Sequence, residues 1–254
     1  MSNPVDICKH FILLLMLGCS LVACNSSNKQ TVISGEIQHG GNRVIRLARL
    51  DKGGYVVKLD SMRMHNGHFE FVLQASTEEQ QQILAQPMLY QLSLEEDNTL
   101  TTMAQRGDQI HITADAKNLI QTYRASGSRN ASLMSSLDSA QTVFVQQVQP
   151  LWEAYQQDIS NDSLRASLQA QYLELIDQHT RFLRHFIQEH PSDMASYVAF
   201  YQSYNRLRFF DNQRDFDLLK MLTDTLSARY PDHPYLQQMQ QKVEILELQQ
   251  HDTD

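Results

Sequence analysis

Residues 107–137 read GDQIHITADAKNLIQTYRASGSRNASLMSSL, and the spacing of the apolar residues changes inside that stretch. Ile110 and Ile112 alternate with polar neighbours, which places them on one face of a strand. From Leu133 and Leu137 onward the apolar residues recur at steps near 3.6, which places them on one face of a helix. Gly127, between the two patterns, is the last glycine of the chain. The expected fold class is therefore α+β: an N-terminal antiparallel β-sandwich-like domain over residues 31–127, followed by an all-α helical bundle domain over residues 128–250.

Working back toward the N-terminus, the same alternation runs through Ile33, Gly35 and Ile37, through Ile45 and Leu47, through Tyr55, Val57 and Leu59, and through Phe69, Phe71 and Leu73. Tyr90, Leu92 and Leu94 continue it. Between these runs lie Gly40-Gly41-Asn42, Lys52-Gly53-Gly54, Asn66-Gly67, Asp97-Asn98 and Gly107-Asp108, residues suited to tight turns. About seven strands joined by hairpins, and so antiparallel neighbours, are expected.

Toward the C-terminus, Leu133, Leu137, Phe144, Val148, Leu151 and Tyr155 form one helical stripe, and Leu164, Leu168, Tyr172, Leu175, His179 and Leu183 form another. Pro150 predicts a kink or a break in the first. His190-Pro191-Ser192-Asp193 should end one helix and cap the next, and Tyr230-Pro231-Asp232-His233-Pro234 repeats the device. No 34-residue period fits residues 130–250, which favours an irregular bundle over stacked helical hairpins.

A net charge of −8 opposes binding to phosphate backbones, so no nucleic-acid partner is expected. The three cysteines, Cys8, Cys19 and Cys24, all precede residue 25, so the folded part has no thiol for a disulfide, a metal site or redox chemistry. Residues 11–23, FILLLMLGCSLVA, follow Lys9 and His10 and are too short to span a bilayer, which needs about 20 apolar residues. Residues 1–23 are therefore expected to be a cleavable signal peptide. Leu21-Val22-Ala23-Cys24 resembles the bacterial lipobox, which implies lipid on the Cys24 thiol. Two or three acyl chains would make the attachment long-lived, and residues 24–30 would form a polar tether. Asn25 after the cysteine and the absence of an acidic cluster from the tether point to the periplasmic face of the outer membrane, with the cell surface as the alternative.

Ser34-Gly35-Glu36-Ile37, Val44-Ile45-Arg46-Leu47, Leu59-Asp60-Ser61 and Asn66-Gly67-His68-Phe69-Glu70-Phe71 occur in an order that resembles domain of unknown function 4369. Gly107–Ile112 and Tyr123–Ser128 resemble the segments that close it. The resemblance implies a β-rich domain that opens lipoproteins of Bacteroidota, where a helical stretch and a thioredoxin-like thiol-disulfide oxidoreductase domain follow. It covers residues 31 to about 130 and extends more loosely to 250. No Cys-x-x-Cys occurs, so the redox residues of that architecture have no positions here onto which to be carried.

Few residues suggest chemistry. His65 and His68 flank a turn, but two imidazoles without a third ligand do not make a metal site. His179, His185 and His190 are spaced to scatter around a helix. Asp60-Ser61 has no Gly-x-Ser-x-Gly elbow around it, and Glu78-Glu79 and Glu95-Glu96-Asp97 offer too few oxygens for calcium. No catalytic residue, metal or cofactor is expected. Tyr197, Phe200, Tyr201, Tyr204 and Leu207 form an aromatic stripe beside Arg206 and Arg208. Core packing is the plain explanation. The alternative is a recognition patch for a protein or peptide partner, carried by Tyr197, Tyr201, Tyr204 and Arg208, since tyrosine and arginine are enriched at energetic hot spots. The functional expectation is a membrane-anchored, non-enzymatic binding or scaffold module of the cell envelope; the alternative is an accessory to a separate thioredoxin-like oxidoreductase.

Overall fold

A computed structural model of the chain describes residues 30–157 and 162–251. The expected signal peptide and Cys24 lie outside the described residues. The fold is mixed α+β, with its two large sheets in the N-terminal half and its long helices in the C-terminal half.

Eight strands form two four-stranded sheets. The first contains β1 (Thr31–Gln38), β4 (His68–Leu73), β7 (Gln109–Asp115) and β8 (Arg124–Ser126), in the order β4-β1-β7-β8. The second contains β2 (Val44–Leu50), β3 (Val56–Arg63), β5 (Met88–Ser93) and β6 (Thr99–Ala104), in the order β3-β2-β5-β6. Alternation sets the buried faces of most strands as the sequence implied, but Tyr55, Val57 and Leu59 are exposed, because β3 lies at the edge of its sheet. Ile33 and Ile37 of β1, Phe69 and Phe71 of β4, and Ile110 and Ile112 of β7 are buried, as are Ile45, Leu47, Tyr90 and Leu92 of the second sheet. Burying each such side chain contributes about 1.5–3 kcal/mol.

The expectation of antiparallel neighbours throughout is corrected. β1 runs antiparallel to β4 but parallel to β7, with Val32 beside Gln109 and Gly35 beside Ile112. Of the five turn signals, Lys52-Gly53-Gly54 and Asp97-Asn98 close hairpins, β2–β3 and β5–β6. The other three carry the chain from one sheet to the other. Turn residues reverse the chain locally and do not choose its partner. At Gly67 (φ 84°) a Cβ would lie 2.4 Å from the Ile37 carbonyl oxygen, so glycine is required both by the backbone angle and by the close approach.

Two short helices interrupt the β part: α1 (Glu78–Leu84) and α2 (Leu119–Thr122). The start of α1 is a capping box, in which Thr77 Oγ1 accepts from the Gln80 amide at 3.2 Å and the Gln80 side chain accepts from the Thr77 amide. Glu78 and Glu79 thus sit in a first helical turn, where the helix dipole favours acids.

Then come α3 (Arg129–Gln157), α4 (Asp162–Glu189), α5 (Ala195–Tyr201), α6 (Phe216–Arg229) and α7 (Leu236–His251), with a two-stranded hairpin, β9 (Ser203–Tyr204) and β10 (Leu207–Arg208), between α5 and α6. The helical assignment runs unbroken through Pro150. The expected caps on α5 do not form. Its N-cap is Met194, and the Asp193 carboxylate instead accepts from Arg129 Nε at 3.0 Å. α3 packs against α4 and also against β6 and β8, and one cluster of buried side chains runs from both sheets into the helices. Among the described residues no helix is long and apolar enough to cross a membrane.

Candidate functional site

The aromatic stripe anticipated from Tyr197 to Arg208 is not one helical face. α5 ends at Tyr201, because Gln202 turns extended (ψ 140°) and the chain enters the β9–β10 hairpin. Tyr197 and Tyr201 therefore face one neighbourhood and Tyr204 another. Tyr197 packs on Tyr201 at 5.0 Å and stacks on Tyr235 at 5.6 Å, while Phe200 stacks on Phe210 at 5.3 Å. Phe200 and Phe210 are core residues. Burial pushes the Tyr201 phenol up to about 12. Arg208 is exposed on β10. The Arg208 charge acts on the Tyr201 phenol, so Tyr197, Tyr201 and Arg208 share one neighbourhood, from which Tyr204 is set apart.

The joint before α7 fastens the helices to the second sheet. His233 is fully buried, with its Nε2 3.2 Å from the Pro87 carbonyl oxygen and its Nδ1 accepting from the Tyr235 amide at 3.3 Å. Those partners assign the ring proton to Nε2. The Tyr235 hydroxyl donates to the Leu50 carbonyl, and Lys52 Nζ lies 3.2 Å from Gln237 Oε1.

The other histidines have structural surroundings. His179 is buried, stacked on Phe144 at 4.8 Å and bonded to Gln202 Oε1 at 2.8 Å; its pKa is lowered chiefly by burial. His185 lies 3.2 Å from Glu189, and His65 and His68 bridge across their turn, both exposed. Asp60 accepts from the Ser61 amide at 2.7 Å. Among the described residues no group of three or more His, Cys, Asp and Glu could hold a metal.

The site that sequence reasoning missed lies where the C-terminal turns of α3, the N-terminal half of α4 and the β9–β10 turn meet. It is a cleft of about 400 Å³. Val148, Leu151 and Leu168 give it an aliphatic base. Trp152, Tyr155, Tyr172 and Tyr204 supply rings, and Gln169 and Asn205 supply carboxamides. Trp152 is 59% exposed. It stacks on Tyr155, with ring centres 6.1 Å apart and planes 12° apart. Behind Tyr155, the Arg165 guanidinium sits 5.4 Å from the ring centre and its Nη2 donates to the phenol oxygen at 3.1 Å. Tyr204 meets Phe144 edge-on at 5.3 Å, which anchors the hairpin to the core. Burial, and then the neighbouring Tyr204, raise the Tyr172 pKa. Asn205 reaches the cleft from a left-handed turn position (φ 53°), which asparagine tolerates.

The periodic signal for this cleft was present, since Trp152 and Tyr155 are three apart and Leu168 and Tyr172 four apart on their helices. What the sequence did not supply was that two helices and a hairpin meet there. No known protein family, no curated protein and no solved structure matches the chain.

Proposed function

We propose that the chain is a non-enzymatic binding module of the bacterial cell envelope, lipid-anchored through Cys24 to the outer membrane and facing the periplasm. In this reading the two sheets pack face to face as a sandwich, the helices form a bundle, and the binding surface is the cleft around Trp152. The observation that carries it is Trp152 itself, a large ring left 59% exposed at the mouth of a concave site. Pockets with a mostly apolar lining and a few placed polar groups are the usual form of a ligand site. The lipobox-like Leu21-Val22-Ala23-Cys24 supports the anchor, and the resemblance to domain of unknown function 4369 supports the envelope address.

Two measurements on the full chain test the reading. Cys24→Ser should leave the fold intact and release the protein from membranes, because acyl chains and not protein surface supply the attachment; sedimentation with membranes after a salt wash would refute the anchor. The wild-type protein should gain thermal stability in a soluble envelope extract, since a ligand that binds only the folded state stabilises it. Trp152→Ala should fold and show no gain; equal gains in both proteins would remove the cleft from the reading.

A further inference from the structure

The lining of the cleft narrows what it can hold. None of the described lining residues is charged, so an ionised group entering the cleft would leave water without a counter-charge from that lining. Trp152 stacks on Tyr155, which in turn carries the Arg165 guanidinium over its ring, so the ring surface open to a ligand is that of Trp152, which stays 59% exposed. The face of an aromatic ring is the negative pole of its quadrupole and attracts electropositive C–H groups laid over it. At the rim, the Gln169 and Asn205 carboxamides have no hydrogen-bond partner among the described residues, and each offers two donors and an acceptor. The Tyr155 oxygen already accepts from Arg165, which leaves its own proton to donate.

The complement of this lining is a neutral molecule with a C–H face and an edge of groups that both donate and accept. A pyranose ring has that form. We propose that the cleft binds neutral saccharides, with the C–H face of a sugar ring on Trp152 and its edge hydroxyls on Gln169 and Asn205. The inference rests on the reading of the chain as a binding module and names its ligand class. A proline-rich peptide would also stack on the rings, but it presents carbonyl acceptors with few donors and leaves the amide oxygens of Gln169 and Asn205 unmatched. The volume, about 400 Å³, lies within the roughly 300–1,000 Å³ of small-ligand sites.

Trp152 is the one tryptophan in the chain, so intrinsic emission reports this cleft alone. The full-length protein in mild detergent is titrated with neutral hexasaccharides of glucose, mannose, galactose, xylose and N-acetylglucosamine, and separately with a proline-rich decapeptide and a sulfated oligosaccharide. The expected result is a saturable change in Trp152 emission with at least one neutral sugar, insensitive to added salt. Gln169→Ala with Asn205→Gly, both exposed and the glycine suited to the left-handed backbone at 205, should weaken it roughly tenfold with little change in melting temperature. Trp152→Ala should abolish the binding heat in calorimetry. A response to the peptide alone, a response only to the sulfated sugar, or no response to any probe overturns the saccharide inference. If stabilisation by envelope extract still depends on Trp152 in those cases, the binding-module reading survives; if that dependence is also missing, both fail.

Discussion

The imidazole of His233 is enclosed on every side, and both its nitrogens are engaged by the main chain. A second proton would have to point at the Tyr235 amide, itself a donor, and burial pushes the ring down to about 4. Above about pH 6.5 the ring is neutral in folded and unfolded chains alike. Below that the unfolded chain binds a proton that the folded chain refuses, so stability is lost as pH falls toward 4. Asp138 works in the opposite sense. Burial pushes its carboxyl up to about 6, partly offset by the Tyr123 hydroxyl 2.5 Å away. That hydroxyl also lies 3.1 Å from the Thr101 carbonyl, and its single proton can satisfy both neighbours only when Asp138 carries a proton of its own. Its contribution is present at acid pH and lost as pH rises through 6. Urea unfolding at pH 7 and pH 5 separates the two. The stability deficit of His233→Gln relative to wild type should shrink by about 2 kcal/mol on going to pH 5, whereas Asp138→Asn should lose about 1 kcal/mol against wild type over the same step. Parallel pH profiles for variant and wild type would refute either assignment.

Among the elements, β1 depends most on a single small residue. A Cβ at Gly35 would sit 1.9 Å from the Ile112 carbonyl oxygen, because the parallel partner approaches closely there. Gly35→Ala must push β7 away and should cost about 3 kcal/mol, a fall in melting temperature of roughly 5–10 °C. Gly41→Ala, where nothing lies within 4 Å of the added atom, should cost less despite its positive φ, and equal losses would refute the close-packing argument. The strands themselves were legible, since Ile33, Ile37, Ile110 and Ile112 carry the period of two that burial then follows. Their pairing was not, because alternation fixes which face is buried and says nothing about direction. Helix α1 had a readable signature, the Thr77-x-x-Gln80 capping box, which weighing Glu78-Glu79 as calcium ligands left unused. The edge strand β3 is exposed along nearly all its length. Its register shift beside Leu47 and Ala48, and the Asp60 carboxylate on the Ser61 amide, are devices that blunt an open edge.

At the scale of the molecule, the buried cluster passes without a break from Ile33 and Leu92 through Leu137 and Leu183 to Leu219 and Met239. The β and helical parts are further joined through His233, Tyr235 and Lys52. Heating should therefore give one calorimetric transition, with van't Hoff and calorimetric enthalpies equal; two resolved transitions would show that the halves melt separately. The change from strand to helix near Gly127 was legible because one glycine closes the first pattern and none interrupts the second. The cleft was not, because it depends on how α3, α4 and the β9–β10 turn come together, and the break in the tyrosine stripe at Gln202 that sends Tyr204 there has no strong local marker.

The parallel pairing inside the first sheet also sets an order of events. Among the described residues β1 is the first strand to be synthesised and lies in the interior of its sheet, yet Val32 has no neighbour on one side until Gln109 exists. A chain delivered N-terminus first must carry Ile33 and Ile37 uncovered until β7 has emerged, and closing so long a loop is slow. During that interval β1 is a strand with one open side, the condition in which a chaperone or a second nascent chain competes with the native partner.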